Sequence, residues 1–234
     1  MKVVKTGDGS PTLFSDKYSE SFHSTFGAET ESRYVFLKSS GVTARLEAGT
    51  PTKVLEIGFG LGLNTLLTCD TAARYGTSLE YHSFENDPSV CDLLQRVDYS
   101  PLLANPDLAT KMKSQLKGAD TLGRYLETGF PLSLASDQKV ILHWVDAELS
   151  ELPPTQFDAI YLDAFSPDNN PECWTAELFI KLLNSLRPTG KLSTYCAKGV
   201  VRRSLQSVGF EVAKMPGPPG KREIVVATRP HYAD

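Results

Sequence analysis

No run of apolar residues in this 234-residue sequence approaches the ~18 that a membrane-spanning helix requires, and the mean hydropathy is −0.22. The opening Met1-Lys2-Val3-Val4-Lys5-Thr6-Gly7-Asp8-Gly9 holds no apolar core of the kind a secretory signal needs. Cysteine is scarce: Cys69, Cys91, Cys173 and Cys196 stand far apart, with no CxxC pair. That pattern argues against a disulfide framework and against a metal site, and suits four small buried hydrophobes. A basic excess is missing as well. The 24 Lys and Arg face 28 Asp and Glu, a net charge of −4, which speaks against tight non-specific polynucleotide binding but leaves room for a local basic face. Repeats and low-complexity segments are also lacking. What remains is a globular composition, 41% hydrophobic and 22% charged, expected to be cytoplasmic, with no membrane and no metal among its partners.

From Lys53 onward, short apolar runs alternate with helical periodicity. Strands are expected at Lys53–Ile57, Leu79–Phe84, Val140–Trp144, Ala159–Leu162 and Lys191–Cys196. Helices are expected at Leu63–Tyr75 (stopped by Gly76), Pro88–Arg96, Glu172–Leu186 and Gly199–Val208. Such alternation predicts an α/β fold with a parallel sheet covered on both faces. The end breaks the rule. Phe210–Ala213 and Glu223–Ala227 are joined by Lys214 to Arg222, which includes Pro216-Gly217-Pro218-Pro219-Gly220. That connection is too short for a crossover helix, so the two strands pair antiparallel. A parallel sheet closed by such a hairpin is the layout of Rossmann-like methyltransferases rather than of dinucleotide dehydrogenases. Residues 1–50 read as an N-terminal extension packed on this 51–234 domain, with a hairpin at Asp8-Gly9 and a helix near Ser32–Lys38. Residues of about 100–135 read as an insert with a helix around Asp107–Tyr125.

Four motifs fall at strand ends. Glu56-Ile57-Gly58-Phe59-Gly60-Leu61-Gly62-Leu63-Asn64 joins a strand to a helix, and glycines at 58, 60 and 62 allow a tight turn and close approach of a ligand to main chain. The dinucleotide pattern needs glycine where Leu63 stands. The G-x-G-x-G spacing with an acid two residues ahead fits S-adenosylmethionine, whose ammonium Glu56 would face directly or through water. Glu85, in Phe84-Glu85-Asn86-Asp87, is placed to accept both ribose hydroxyls; Asp87 reads as a helix cap. Asp146, in Trp144-Val145-Asp146-Ala147, is placed for an adenine amino group, although a strand-end Asp is more often a turn former. Asp163, in Leu162-Asp163-Ala164-Phe165-Ser166-Pro167, sits where open α/β sheets put reactive groups. It would touch both the cofactor and an incoming amine, as base or only as binder, unless it merely caps the loop. Phe165 and Trp174 are either core residues or an aromatic wall beside a cation.

These residues resemble the methyltransferase domain of the bacterial tRNA 5-methylaminomethyl-2-thiouridine biosynthesis proteins (the MnmC type). The likeness covers nearly the whole chain. It includes Asp16-Lys17-Tyr18-Ser19, Glu31-Ser32-Arg33-Tyr34-Val35-Phe36-Leu37, Glu56 to Asn64, the Asp163 loop with Asn170-Pro171-Glu172-Cys173-Trp174-Thr175, Ala197 to Arg203, and Gly220-Lys221-Arg222-Glu223. The resemblance implies transfer of a methyl group from S-adenosyl-L-methionine to the amine of 5-aminomethyl-(2-thio)uridine at the tRNA wobble position. It further implies a version without the FAD oxidoreductase half, so that a separate enzyme supplies the amine. Asp163 and Phe165 become the catalytic candidates. Glu56, Gly58, Gly60, Gly62, Asn64, Glu85, Asp146 and Asp163 become the cofactor candidates. Lys198, Arg202, Arg203, Lys221 and Arg222, with Lys214, become a phosphate-contacting face, each alone being an ordinary surface charge. Asn169 departs from the family, which often has lysine there. A methyltransferase for a small-molecule amine and a nicotinamide oxidoreductase stand as the alternatives.

Overall fold

The computed structural model describes residues 2–117, 129–144, 152–153 and 155–231. Strands β1 (Val3–Lys5) and β2 (Pro11–Ser15) form the hairpin that turns through Asp8-Gly9, and β3 (Glu20–Ser21) pairs with β2. Helix α1 (Ala28–Glu31) runs into a π-helical segment, Ser32–Lys38, before α2 (Val42–Glu47). There follow β4 (Thr52–Ile57), α3 (Leu63–Tyr75), β5 (Leu79–Glu85), α4 (Val90–Leu94) and α5 (Asp107–Leu116). Then come β6 (Phe130–Leu132), β7 (Gln138–Trp144), β8 (Phe157–Leu162), α6 (Ala176–Ser185) and β9 (Leu186–Thr194). Helix α7 (Gly199–Ser207) and the hairpin β10 (Glu211–Pro216) and β11 (Glu223–Thr228) complete the described chain. The helix expected through Tyr125 is seen as α5 to Leu116; the rest of that stretch lies outside the described residues.

The main sheet runs β10-β11-β9-β8-β4-β5-β7-β6. Strands β4, β5, β7, β8 and β9 are parallel, while β11 and β10 close one edge antiparallel and β6 closes the other. The proline-rich connection therefore does what its length requires. Because β4 lies between β5 and β8, chain order reverses there, and the carboxyl ends of β4 and β8 frame the crevice where open sheets bind ligands.

The period of two decides which face each side chain covers. Val54, Tyr81, Ala159 and Tyr161 belong to a core shared with α3, α5 and the N-terminal segment, including Leu13, Val35 and Phe36. Their neighbours Leu55, Ile57, Phe84, Ile160 and Leu162 pack instead with α6 and α7 through Leu178, Phe179, Leu182, Val201 and Leu205. All six residues of β8 are buried, as a central strand covered on both faces demands.

Two elements differ from the sequence expectation. The helix expected from Glu172 is divided, because Thr175 is extended and its hydroxyl accepts the Leu178 N–H as an N-cap; Pro171–Trp174 forms a separate tight turn. Strand β9 begins at Leu186, before Pro188 and Gly190 rather than after them. The pairing jumps from Phe157↔Leu186 to Ala159↔Lys191, so the proline lies in a bulge where it breaks no ladder bond.

A histidine pair lies within the sheet. His82 on β5 and His143 on β7 meet ring to ring, with Nδ1 of the first 2.9 Å from Nε2 of the second, and Phe84 stacks on His143. Glu80, Lys53 and Lys139 surround His82. Burial lowers both histidines despite Glu80, and burial with the His82 charge brings His143 down to about 4. A histidine depressed in the fold binds fewer protons than in the unfolded chain, so its contribution is full above about 6.5 and lost as pH falls toward 4. Urea unfolding of the parent and of His143→Phe should therefore show a stability difference that shifts in the variant's favour between pH 6.5 and 4.5. A pH-independent difference would rule out this titration.

Candidate active site

A cavity of about 340 Å³ opens at the carboxyl ends of β4, β5 and β8, within the size range of small-molecule sites. Its floor is the glycine turn. Gly58 has φ +96°, and a Cβ there would stand 2.8 Å from the Asp163 carbonyl oxygen. Asp163 N–H in turn donates to the Ile57 carbonyl at 2.9 Å. Only glycine lets the ends of β4 and β8 approach so closely. Gly60, at φ +53°, donates its N–H to Glu85 at 2.9 Å. Gly62, at φ +75°, is the hinge into α3 and lies behind the lining, wedged against Met112 and Phe59.

The acidic side chains take different places. Glu85 lines the cavity and is held by three main-chain N–H groups, of Gly60, Asn86 and Asp87, each at 2.9 Å. Burial nonetheless raises its carboxyl above the usual range. A carboxylate has about four lone-pair sites, so one stays open toward the cavity for a hydroxyl. Asp163 also lines the cavity, and Asn64 Nδ2 donates to its Oδ2 at 2.8 Å. Burial first, then the charges of Glu31 and Glu56, push the Asp163 carboxyl well above the carboxylate range; Asn64 and Lys221 act the other way.

Glu56 is placed differently from the direct contact the sequence suggests. Strand alternation turns it under α3, fully buried, where its Oε2 accepts from Ser83 at 2.6 Å and Thr65 at 3.1 Å. Burial raises its carboxyl to about 7, and Oε1 has no hydrogen-bond partner. Neither Glu56 nor Asn64 lines the cavity, and Asn64 Oδ1 is also unpartnered. Asp146 lies outside the described residues.

The opposite wall comes from the N-terminal segment. Tyr18 stacks on Phe165 with centroids 4.2 Å apart, Phe22 meets the same ring edge-on at 5.1 Å, and Glu20 accepts the Ser166 N–H. Glu31, Tyr195 and Asn170 complete the lining. None of these six is among the site residues expected from the sequence: Tyr18, Glu20, Phe22 and Glu31 meet the Asp163 loop only through the fold, and Tyr18, Glu31 and Asn170 carry only the mark of the family resemblance. Trp174 packs in the core and donates its indole N–H to the Phe165 carbonyl, fixing that loop. Among the described residues five carboxylates, Glu20, Glu31, Glu85, Asp87 and Asp163, line the cavity against one lysine, Lys221. Such a field favours a cationic ligand.

The basic candidates do not share one place. Lys221 lines the cavity, paired with Glu31 at 3.1 Å and 4.5 Å from the Tyr195 ring centroid. Lys198 pairs with Asp168 outside it. Arg202 and Arg222 gather with Lys214 around Glu223, which is drawn below its usual range chiefly by the Lys214 hydrogen bond. Arg203 is exposed on α7. Among the described residues no group of His, Cys, Asp and Glu is arranged for a metal ion, and no helix is long and apolar enough to cross a membrane.

Comparison with known proteins decides what class of cofactor this cavity takes. Residues 129–230 match a family of S-adenosyl-L-methionine-dependent methyltransferases. Over those residues the chain is similar to enzymes that take their methyl group from S-adenosyl-L-methionine. The tRNA 5-methylaminomethyl-2-thiouridine biosynthesis bifunctional protein MnmC of Cupriavidus necator is 30% identical over 98% of the chain, and that of Ralstonia nicotianae 32% identical over 96%. The chain spans about a third of the length of these relatives, 34% in both. Among solved structures, MNMC2 from Aquifex aeolicus superposes with a TM-score of 0.76 at 26% identity, covering 99% of this chain and 72% of that one. A methyltransferase from Pyrococcus furiosus, TM-score 0.51 at 15% identity, shares the fold. The cofactor is thus S-adenosyl-L-methionine, and the cavity suits that group: a glycine floor closed to any side chain, a Glu85 carboxylate with capacity for one more hydroxyl, and an acidic lining for a sulfonium. The nicotinamide alternative is set aside.

Gly58→Ala should lose cofactor binding, because it adds a Cβ where 2.8 Å is available and forces alanine into positive φ. Isothermal titration with S-adenosyl-L-methionine should show affinity reduced beyond detection, with stability lower by about 1–3 kcal/mol. Binding equal to the parent's would mean that the glycine turn is not the floor of the cofactor site.

Proposed function

We propose that this methyltransferase transfers a methyl group to the amine of 5-aminomethyl-(2-thio)uridine at the wobble position of tRNA. The observation that carries the reading is the placement of Asp163, at the end of β8, between the glycine turn and the aromatic wall of Tyr18, Phe22 and Phe165. The relatives named for 5-methylaminomethyl-2-thiouridine biosynthesis, matched along nearly the whole chain, support the choice of amine.

When bound, S-adenosyl-L-methionine supplies an electrophilic methyl group on a sulfonium. The chain's own residues have four tasks. Glu85 holds the ribose. Glu56, with Asn64, sets the far side of the turn from behind the wall. Phe165 and Tyr18 exclude water beside the sulfonium and flank a planar uracil. Asp163 binds the substrate ammonium and takes its proton. An alkyl ammonium titrates near about 10, so the proton must be removed before nitrogen can attack. A carboxyl raised by burial is a better proton acceptor than a solvated one, and the entry of a cation favours its ionised form. Cys173, also in the lining, is pushed up to about 12 by burial and stays a thiol at neutral pH, which leaves no covalent relay through it. Direct in-line transfer governed by positioning is the outcome.

The reading is tested with tRNA from cells lacking the final methylation. Incubation with the protein and S-adenosyl-L-methionine should convert 5-aminomethyl-2-thiouridine to its methylamino form in nucleoside mass spectra. Methylation of small amines but not of this tRNA would overturn it. Asp163→Ala should keep cofactor binding and lose about a hundredfold or more in turnover; unchanged turnover would remove Asp163 from the mechanism.

A further inference from the structure

One charged pair inside the cavity has no part in holding the cofactor. Glu31, at the end of α1, is 7% exposed; its Oε1 is 3.1 Å from Lys221 Nζ and its Oε2 accepts the Ser24 N–H at 2.9 Å. Lys221 comes from the far end of the chain, in the loop between β10 and β11, and rests over the Tyr195 ring. The two loops that carry them meet at the cavity mouth, where Phe26 packs so tightly on Gly220 that a Cβ there would lie 2.2 Å from its ring. The other lysines of this region, Lys198 and Lys214, pair with acids outside the lining, whereas Lys221 turns inward.

We propose that Glu31 and Lys221 form a paired recognition device in which Glu31 shares the substrate's ammonium with its neighbour Asp163 and Lys221, released from Glu31, receives a phosphate next to the modified nucleoside. The inference rests on the RNA-amine reading above. Its physical ground is that the buried Glu31 carboxylate cannot give up its half-buried Lys221 partner without being left uncompensated. A ligand bearing one cation and one anion replaces both partners at once. A neutral nucleoside, or an amine without a phosphate, replaces only one or none. The arrangement therefore selects an amine carried on a polynucleotide over a free amine. Glu31 is also one of the two charges that raise Asp163, so the two carboxylates share the cavity's field.

The test uses the full chain, two RNA hairpins that differ only in carrying 5-aminomethyluridine or 5-hydroxymethyluridine, S-adenosyl-L-homocysteine for the binding measurements and S-adenosyl-L-methionine for the rates. Glu31→Gln keeps an oxygen for the Ser24 N–H and so spares the loop. It should cut the preference for the amine-bearing hairpin by about tenfold, with the hydroxymethyl hairpin bound no more weakly than by the parent because Lys221 is already free of Glu31. It should also move the acid limb of the rate profile to lower pH, because Asp163 loses a neighbouring negative charge. Lys221→Gln should weaken both hairpins equally and reduce the salt slope of binding by about one. A Glu31→Gln protein that melts earlier yet keeps the full amine preference would reduce the pair to a staple between the chain's two ends. Failure of the parent to bind or methylate either hairpin would overturn the RNA reading and this inference together, whereas a parent that methylates the amine hairpin with an indifferent Glu31→Gln overturns the inference alone.

Discussion

The site depends on the contact between the ends of two neighbouring parallel strands. Gly58, leaving β4, presses against the backbone of Asp163, leaving β8, and the Asp163 N–H returns to Ile57 at 2.9 Å. Asn64, the second residue of α3, then reaches back to the Asp163 carboxylate at 2.8 Å. Three elements are thus locked by one glycine that carries no side chain and one amide that carries the right one. The same lock points the two strand ends, and with them Asp163 and the cofactor turn, into a common cavity. Everything added by the rest of the chain is a wall around that junction.

On the proposed function, the walls explain how a chain with a net charge of −4 would serve a polyanionic substrate. Its acids are concentrated where cations must come: at Glu20, Glu31, Glu85, Asp87 and Asp163. Basic residues lie elsewhere, around Glu223 and along α7, or pair across the mouth as Lys221 does. Charge is thereby sorted by depth, negative inside, where the proposed function would place sulfonium and ammonium, and positive at the rim, where it would place phosphate. The net value of the sequence conceals this sorting, since it sums two regions of opposite purpose.

The β–α alternation, the antiparallel ending and the boundaries of α3 were legible because each rests on local period and on Gly or Pro punctuation. Leu63–Tyr75 is helical over the expected residues, stopped at Gly76. Local signals failed where the answer was set from a distance. Thr175 reads as helix interior but caps α6, and Pro188 reads as a stop after the helix but sits in a bulge within β9, tolerated at that register. Of the site, the half borne on strand ends was visible in motifs at 58–64, 85 and 163. The other half, Tyr18, Glu20, Phe22 and Glu31, folds back from residues with no intrinsic mark of chemistry. Their partners lie more than a hundred residues away. The turning of Glu56 away from the cavity follows from strand alternation, yet becomes evident only once α3 is known to cover that face.

A crystal structure with S-adenosyl-L-homocysteine would test the placement of this junction at the centre of the site most directly. The account predicts the ribose on Glu85, main chain of Gly58 and Gly60 against the ligand, and the thioether sulfur facing Asp163 and Phe165. A ligand seated elsewhere, for instance in the depression lined by Lys111, Pro131 and Lys139 at the opposite edge of the sheet, would contradict it.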